Sequence, residues 1–394
     1  MMWEKASIHL SPEQELVLAS IRLDRTMDTR IGELLQQELD WAGLLQYAHL
    51  HNVLPLLYER LKALGAERAH PEGLSRLKAL NLRIAQRNLR LNNKLTAVIQ
   101  LLSSHGIASV VFKGPVLALQ AYGNLSLRTF EDLDILVHEE DIERLYDLLI
   151  QSSYSPIYPM DGTERKWFVR TTSHFGFTHQ RDLLEFHWTP LEKGFLHPIP
   201  TEHFWQGFHS LSLDGQEVRT LSAEDNLILL CLHGTKHEWY QLKWIADLAY
   251  LIRSSPELNW QALLEQARNL GFYRILCLSL LFAEEIGGAI IPPPIRSLFQ
   301  DDQQVQTLAK QIEPQIIKGG NPEKLDRFPA FFLRCRERRG HRLYYVLDQV
   351  FVPKWVDWRL LPLPNTLYPL YYLIRPFRLL FKFSWIFLST PMKH

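Results

Sequence analysis

The sequence predicts an α+β protein, in which a small strand-rich core lies between an N-terminal helical bundle and a C-terminal helical domain. Apolar residues recur at helical spacing up to about Gly106. Short apolar runs and an alternating segment, both typical of strands, follow to about Pro190, and a capped helical pattern resumes at Ser222. A chain of 394 residues has room for two or three domains. The predicted domains cover residues 1–105, 106–220 and 221–394.

The composition limits the kinds of partner that the chain can have. Lys and Arg number 43 and Asp and Glu also number 43, so the formal net charge is zero. This balance argues against a long nucleic acid, which is bound mainly through excess basic charge. It still allows a local basic pocket for a nucleoside triphosphate, because clustering sets the local field. The first residues lack the pattern of a secretory signal, so we expect a cytoplasmic location.

The N-terminal bundle is predicted from helix caps and apolar spacing. Residues 11–14 read Ser-Pro-Glu-Gln, the pattern of an N-cap, a first-turn proline and a capping box. Further helices are expected from Asp40 onward, over residues 52–64, and from Pro71 to Gly106. In the last of these the apolar residues that share one face are Leu91, Leu95, Val98 and Leu102.

One segment of the predicted core carries residues that suggest chemistry. An apolar strand over residues 110–112 leads into Lys113 and Gly114, and after a short helix a second apolar strand carries Asp132 and Asp134. Because side chains alternate between the faces of a strand, the two carboxylates share a face, about 7 Å apart. Carboxylates that close repel each other, so a divalent cation between them is expected.

Residues 173–188 predict two antiparallel strands that are joined by a tight turn. In the second strand apolar side chains alternate with Glu185 and His187, which places both of these on the polar face. The first strand carries His174 and His179. We interpret these two histidines as strand residues with ordinary hydrogen bonds and not as catalytic groups.

Four pieces of the chain together carry a resemblance to a known family. Phe112-Lys113-Gly114 is followed by Tyr122-Gly123, Arg128 and Asp132-Leu133-Asp134. This series resembles the nucleotidyltransferases of the DNA polymerase β-like superfamily, and most closely a bacterial family described only as nucleotidyltransferase family proteins. The likeness extends over residues 40–252, with a weaker echo at 360–378. It implies a small mixed-sheet nucleotidyltransferase core, with the nucleotide in the cleft between that core and the C-terminal helices.

The resemblance also implies metal-dependent phosphoryl transfer. Asp132 and Asp134 would hold Mg²⁺ or Mn²⁺ ions against a nucleoside triphosphate, expected to be ATP, and an acceptor group would attack the α-phosphorus with loss of pyrophosphate. The third carboxylate of the superfamily comes from a later strand, and Glu185 lies 51 residues after Asp134. We therefore assign Glu185 to the metal site or to general-base catalysis, with His187 as the alternative base.

The expected phosphate contacts differ from the superfamily pattern at the first turn. Gly-Ser or Gly-Gly is usual where this chain has Lys113-Gly114, so Lys113 is expected to supply a charge in place of the serine. Backbone amides of the turn would still bind an anion. Arg128 is interpreted as a phosphate contact or an orienting partner of the acidic strand, and the alternative is a weak surface ion pair.

A polar stripe is predicted on a helix over residues 222–252, where His233, Lys236 and His237 share a face. Tyr240, Trp244 and Asp247 continue the stripe if the helix does not break at Gly234. Three interpretations remain open: a zinc site, a lid that contacts the nucleotide, and buried histidines paired with Asp247. The zinc site is disfavoured because a glycine follows the first histidine where a metalloprotease has glutamate. Lys236 and His237 are counted among the nucleotide-binding candidates.

The tail over residues 366–392 is apolar and aromatic but is interrupted by prolines and basic residues. Its uncharged runs are shorter than the roughly 20 residues that a membrane-spanning helix needs. The tail is expected either to pack on the protein's own helices or to lie on an anionic membrane surface. The second alternative would make the protein peripheral at a membrane.

These observations predict a nucleotidyltransferase that moves a nucleoside monophosphate from a nucleoside triphosphate to an unidentified acceptor. The acceptor classes considered are a small metabolite, a sugar or antibiotic-like hydroxyl, and a protein or peptide side chain. The rival hypotheses are a catalytically inactive nucleotide-binding protein or assembly partner in a biosynthetic cluster, and a scaffold on a membrane surface. The presence of all three carboxylates, Asp132, Asp134 and Glu185, argues against the hypothesis of a catalytically inactive protein.

Overall fold

The computed structural model describes residues 9–195, 200–319 and 329–389. The expected location is inferred from the first residues, and residues 1–8 lie outside the described ranges. The end of the predicted tail, residues 390–392, also lies outside them. The described part of the N-terminal region forms helices α1 (Pro12–Ile21), α2 (Asp28–Leu34), α3 (Trp41–Leu50), α4 (Leu54–Ala63) and α5 (Pro71–Ser104). The predicted capping box at Ser11 is confirmed, because its hydroxyl accepts the Gln14 amide at 3.3 Å and the Gln14 side chain accepts the Ser11 amide at 3.0 Å.

The core is a mixed sheet of seven strands in the described residues, in the order β3-β4-β5-β2-β1-β7-β6. The strands are β1 (Ser109–Phe112), β2 (Asp132–Val137), β3 (Ser155–Pro156), β4 (His174–His179), β5 (Asp182–His187), β6 (Phe208–Leu213) and β7 (Gln216–Leu221). β2 runs antiparallel to β1 and parallel to β5. The predicted α+β class and mixed-sheet core are therefore confirmed.

Sequence reasoning did not find the β6–β7 hairpin. Its turn is Asp214-Gly215, in which both residues have positive φ, 50° and 84°. An Asp-Gly pair between two short strand-forming runs is a strong local signal for such a turn. That dipeptide would therefore have been sufficient to predict the hairpin.

The remaining helices flank the sheet. In the core these are α6 (Gly114–Tyr122), α7 (Ile142–Gln151), α8 (Gly162–Thr171) and α9 (His203–Gln206). The helices that follow the sheet are α10 (Ala223–Lys236), α11 (Leu242–Ser254), α12 (Trp260–Leu270), α13 (Tyr273–Glu285), α14 (Pro293–Gln300), α15 (Gln303–Lys318), α16 (Pro329–Cys335), α17 (Arg339–Phe351), α18 (Trp355–Leu360) and α19 (Tyr371–Ser389).

The two faces of the sheet contact two different apolar cores. One core joins the N-terminal bundle to the helices after the sheet and includes Leu136 of β2. The other lies under α7 and the second half of α5, and it includes Leu133 and Ile135. Because side chains alternate along β2, Asp132 and Asp134 point to the same side as Leu136, towards the helices. The predicted domain boundaries stay a prediction.

The single helix predicted over residues 222–252 is wrong, because the structure has two helices there, α10 and α11. Between them Glu238 and Trp239 adopt positive φ, 50° and 55°, which a helix cannot contain. The indole of Trp239 packs directly over Gly234, where a Cβ would lie 2.4 Å from ring atoms. The turn is thus stabilised by burial of a large aromatic side chain that helical periodicity does not report.

We expect Gly234→Ala to lower the free energy of unfolding by about 1–3 kcal/mol, because the added methyl group overpacks the contact with Trp239. Urea unfolding measures the effect. Gly162→Ala is the matched control, since no atom lies within 4 Å of its Cβ position and alanine favours a helix. Equal losses in the two variants would contradict the packing argument.

His51, which follows α3, links the N-terminal bundle to α11. The Leu242 amide donates to His51 Nδ1 at 3.2 Å, and the His51 carbonyl accepts the Lys243 amide at 3.2 Å. Burial lowers the pKa of His51 to about 4. A proton on Nδ1 would also face the Leu242 N–H, so the folded state favours the neutral ring.

The folded pKa of His51 lies below the unfolded value of about 6.5, so its contribution to stability is present above pH 6.5 and is lost as the pH falls towards 4. Between pH 7 and 4.5 we expect wild type to lose about 2–3 kcal/mol more than His51→Gln, whose amide cannot be protonated. Urea unfolding of both proteins at the two pH values measures this difference. Identical losses would show that His51 does not carry the effect.

The tail begins with a 3₁₀ segment (Asn365–Leu370) and continues as α19. Tyr371 is buried, and the buried Arg375 pairs with Asp357 of α18 at 2.7 Å. The inner side of the tail therefore packs on the protein's own helices, while its outer side is exposed. None of the helices in the described ranges is both long enough and apolar enough to cross a membrane.

Candidate active site

Three predicted carboxylates meet where β2 lies beside β5. The register of this parallel pair sets Asp134 opposite Glu185, and Asp132 lies two residues earlier on the same face. All three line one cavity of about 280 Å³ together with Lys113 and His187. The structure therefore brings side by side the carboxylates that the sequence separates by about fifty residues.

His187 and Lys113 neutralise the innermost carboxylate. His187 Nε2 lies 3.0 Å from Asp134 Oδ1 and 3.4 Å from Glu185 Oε2, and Lys113 Nζ lies 3.5 Å from Asp134 Oδ1. Burial alone would raise the pKa of Asp134, but these two cations outweigh it and hold that pKa well below its usual range. Burial likewise opposes charge on His187, but Asp134 and Glu185 outweigh it and raise the pKa of the imidazole.

Asp132 is the carboxylate that has no strong cationic partner. Burial, and then repulsion by Asp134 and Glu185, raise the pKa of Asp132 to about 6. The cluster thus holds more negative charge than Lys113 and His187 balance. Carboxylate oxygens are the ligands that Mg²⁺ and Mn²⁺ prefer, so this donor set fits a divalent cation.

His174 belongs to the same cluster, which the interpretation as an ordinary strand residue did not anticipate. Ligand atoms of His174, Glu185 and His187 all lie within 4.8 Å of one another. Burial lowers the pKa of His174 to about 4, so its ring is neutral and can bind a metal. The sequence could have predicted that His174 lies beside His187, because the tight turn of the β4–β5 hairpin sets the two residues opposite each other.

The first turn has an unusual backbone at Lys113. Its φ and ψ are 58° and −144°, and the next residue, Gly114, also has positive φ, 43°. Residues other than glycine adopt such a conformation only where the surrounding structure enforces it, at a cost of about 1–3 kcal/mol. The turn holds the Lys113 ammonium beside Asp134 and starts α6 close to β2, since a Cβ on Gly114 would lie 3.6 Å from the Asp132 carbonyl.

The structure corrects one interpretation of Arg128, the surface ion pair, while its role as a phosphate contact or as an orienting partner of the acidic strand stays a prediction. The side chain is buried and makes two bonds to Asp247, from Nε at 2.9 Å and from Nη2 at 3.0 Å. Tyr122 also donates to Asp247 at 2.8 Å, and Arg128 Nη1 donates to the Gly114 carbonyl at 3.5 Å. The surface ion pair is therefore wrong, and Arg128 is absent from the described residues that line the cavity. The guanidinium instead connects α11 to the Lys113 turn.

The histidine stripe of α10 reaches the same cavity. His233, Lys236 and His237 all line it, and Lys236 Nζ lies 2.5 Å from Glu192 Oε2. The interpretation in which these histidines pair with Asp247 is wrong, because both rings pack on Trp244 and Asp247 bonds to Arg128. A role for Lys236 and His237 in nucleotide binding stays a prediction.

A second cavity of about 580 Å³ adjoins the first. The two share the lining residues Ser173, His174, Glu192, Phe195 and Lys236. The far wall, formed by residues that line only this cavity, has four aromatic side chains, Phe168, Phe332, Tyr345 and Trp355, from α8, α16, α17 and α18. It also contains Thr171, Thr172, Gln349, Lys354, Val356 and Arg375. Lys193 lies on this wall and donates to the Val169 and Arg170 carbonyls, and within the described ranges no carboxylate pairs with it. The wall therefore combines aromatic surface with a half-buried lysine that forms no ion pair in the described ranges and is attracted by Glu139.

Comparison with known proteins gives a matching family, and the similar solved structures include two distant ones. Residues 37–288 match the model of a family described as uncharacterised nucleotidyltransferase, and this range includes the whole lining of the acidic cavity. The solution structure of the antibiotic-resistance factor ANT(2'')-Ia is 12% identical, with a TM-score of 0.28, over 58% of this chain and 99% of that one. The crystal structure of an antigenic nucleotidyltransferase-like protein from Paracoccidioides brasiliensis is 20% identical, with a TM-score of 0.32, over 54% and 97%. No curated protein matches the sequence.

Proposed function

The chain belongs to the family of uncharacterised nucleotidyltransferases, and from this premise we propose that it transfers a nucleoside monophosphate from ATP or another nucleoside triphosphate in a metal-dependent reaction. The observation that carries the proposal is the convergence of Asp132, Asp134 and Glu185 on one side of two adjacent strands, in one cavity with Lys113. Acidic oxygens beside a lysine can bind a metal ion and a triphosphate together.

The carboxylates divide into metal ligands and a proton acceptor. Asp132 and Asp134 would hold Mg²⁺ or Mn²⁺, which supplies charge neutralisation for the triphosphate when bound. Lys113 and Lys236 both line the cavity, and we assign them to the phosphates. The excess negative charge that raises the pKa of Asp132 is then balanced by the cation.

Glu185 is the proposed general base, and His187 orients it. His187 lies 3.0 Å from Asp134 and 3.4 Å from Glu185, and these two carboxylates raise the pKa of its ring, so we assign it to orienting Glu185 and not to accepting the proton. The acceptor hydroxyl gives its proton to Glu185 while its oxygen bonds to the α-phosphorus. The bond from the α-phosphorus to the bridging oxygen breaks, and pyrophosphate leaves.

We propose that the acceptor binds in the second cavity. That cavity shares five lining residues with the acidic one, so it adjoins the place where we propose that the triphosphate binds. The aromatic side chains of its wall can pack against an apolar or aromatic part of the acceptor, and Lys193 can pair with a negatively charged group of the acceptor. A small metabolite with a hydroxyl and an anionic group fits this wall better than a neutral sugar does.

The proposal is tested by incubating the full chain with Mg²⁺ or Mn²⁺, a cell extract and each labelled triphosphate in turn. We expect pyrophosphate release and label transfer with at least one nucleotide. The same triphosphate should raise the melting temperature, because a ligand at 100 times its Kd stabilises by about 2.7 kcal/mol. Stabilisation without transfer would support an inactive nucleotide-binding protein, and neither effect would contradict nucleotide binding altogether.

We expect Lys193→Gln to lower label transfer from the extract by about tenfold or more, because an acceptor anion would lose a charge-assisted hydrogen bond worth about 1.5–3 kcal/mol. The rise in melting temperature with triphosphate and metal should not change. Lys166→Gln on the exposed side of α8 is the matched control. Unchanged transfer in Lys193→Gln would contradict the assignment of this cavity to the acceptor.

A further inference from the structure

The last helices expose an unusual number of large apolar side chains. On α19, Leu373, Phe377 and Leu380 recur at helical spacing and are 63%, 62% and 64% exposed. Eight of the exposed apolar residues of α17, α18 and α19 make up what we call the C-terminal apolar face: Leu343, Leu347, Phe351, Leu360, Leu373, Phe377, Leu380 and Phe381. Soluble monomers rarely expose contiguous apolar patches beyond a few hundred Å², and larger ones mark interaction sites.

The inner side of the same helices is fixed by buried charges. Asp357 of α18 accepts from Arg375 at 2.7 Å and from Arg378 at 2.5 Å, and Arg375 also donates to the Gln349 carbonyl of α17 at 2.8 Å. Breaking a buried ion pair is strongly unfavourable. The apolar face therefore cannot turn inward, and it stays directed at the surroundings.

The exposed charged side chains of residues 338–381 have one sign. Over residues 338–381, all of them described, the carboxylates are Asp348 and Asp357, and both are buried in ion pairs. Arg339 and Arg359 are exposed in the same stretch. A second copy of this stretch would offer these arginines no exposed carboxylate to pair with. This surface complements a bilayer of anionic phospholipid, because the arginines can pair with the headgroups while the apolar side chains insert among the acyl chains.

We propose that the C-terminal apolar face binds the surface of a membrane that contains anionic phospholipid. The full chain should sediment with vesicles of equal parts phosphatidylglycerol and phosphatidylcholine and not with vesicles of phosphatidylcholine alone. The triple variant Leu373→Gln, Phe377→Gln, Leu380→Gln should lower the ratio of bound to free protein by at least about tenfold, since binding scales with buried apolar area. Arg339→Gln with Arg359→Gln should weaken binding severalfold.

A second triple variant controls for general loss of surface hydrophobicity. Leu82→Gln, Leu89→Gln and Ile290→Gln replace apolar side chains that are 58%, 55% and 86% exposed elsewhere on the molecule, and vesicle binding should be unchanged. Urea unfolding of all variants verifies that they are folded. Failure of wild type to bind, equal binding to both vesicles, or equal losses in the two triple variants would overturn the proposal. A wild-type dimer that the first triple variant converts to monomer, without vesicle binding, would overturn it in favour of a second copy.

Discussion

Asp132→Asn and Asp134→Asn are each expected to lower nucleotidyl transfer by at least about a thousandfold, because metal ligands contribute several kcal/mol to transition-state stabilisation and each 1.4 kcal/mol is a factor of ten. Their effects on stability should be opposite. In the absence of metal Asp132→Asn should raise the melting temperature by about 2–4 °C, since it removes a repelled charge. Asp134→Asn should lower it, because Asp134 is paired with Lys113 and His187.

The stability change in Asp132→Asn should also depend on pH. The pKa of Asp132 in the folded state is about 6, above the unfolded value of about 3.9, so ionisation costs stability above pH 6 and not below pH 4. The difference in melting temperature from wild type should therefore be larger at pH 7.5 than at pH 5. Glu131→Gln, at an exposed neighbouring carboxylate, is the control for transfer and for stability. Transfer that survives in Asp132→Asn and Asp134→Asn would refute the metal site.

Removing either partner of the Arg128–Asp247 pair is expected to lower the free energy of unfolding by about 3–5 kcal/mol, because a buried charge is left without its counterion. Asp247→Asn and Arg128→Met are the variants, and urea unfolding measures the loss. The variant that carries both Arg128→Met and Asp247→Leu should lose less than the sum of the single changes. Arg144→Met, in an exposed pair with Asp141, should cost less than about 1 kcal/mol.

The same variants test what the pair does for the candidate site. Arg128 Nη1 donates to the Gly114 carbonyl, so Arg128→Met should loosen the turn that carries Lys113. We expect weaker stabilisation by triphosphate at a temperature where the variant is still folded. Strict additivity of the two single changes, or a loss as small as that of Arg144→Met, would show that the pair is not the structural link inferred here.

Much of the site could be predicted because its residues obey the period of a strand. Asp132, Asp134 and Glu185 each fall on the polar side of an apolar strand, and the structure sets two of them opposite each other. His174 was accessible in the same way, through the register of a hairpin with a tight turn. Helix α5 and its buried face likewise follow from local spacing. In all these cases the information lies in the order of neighbouring residues.

The chain's own sequence thus determined the mixed-sheet class, the acidic strand and the caps of the first helices. Only the tertiary structure decided that Arg128 pairs with Asp247, which is 119 residues away, and that Trp239 ends a helix by packing on Gly234. The physical reason is that periodicity reports which face of an element is apolar. A charge becomes buried and paired only when elements that are distant in the sequence pack around it and exclude water. A local sequence pattern cannot contain that information.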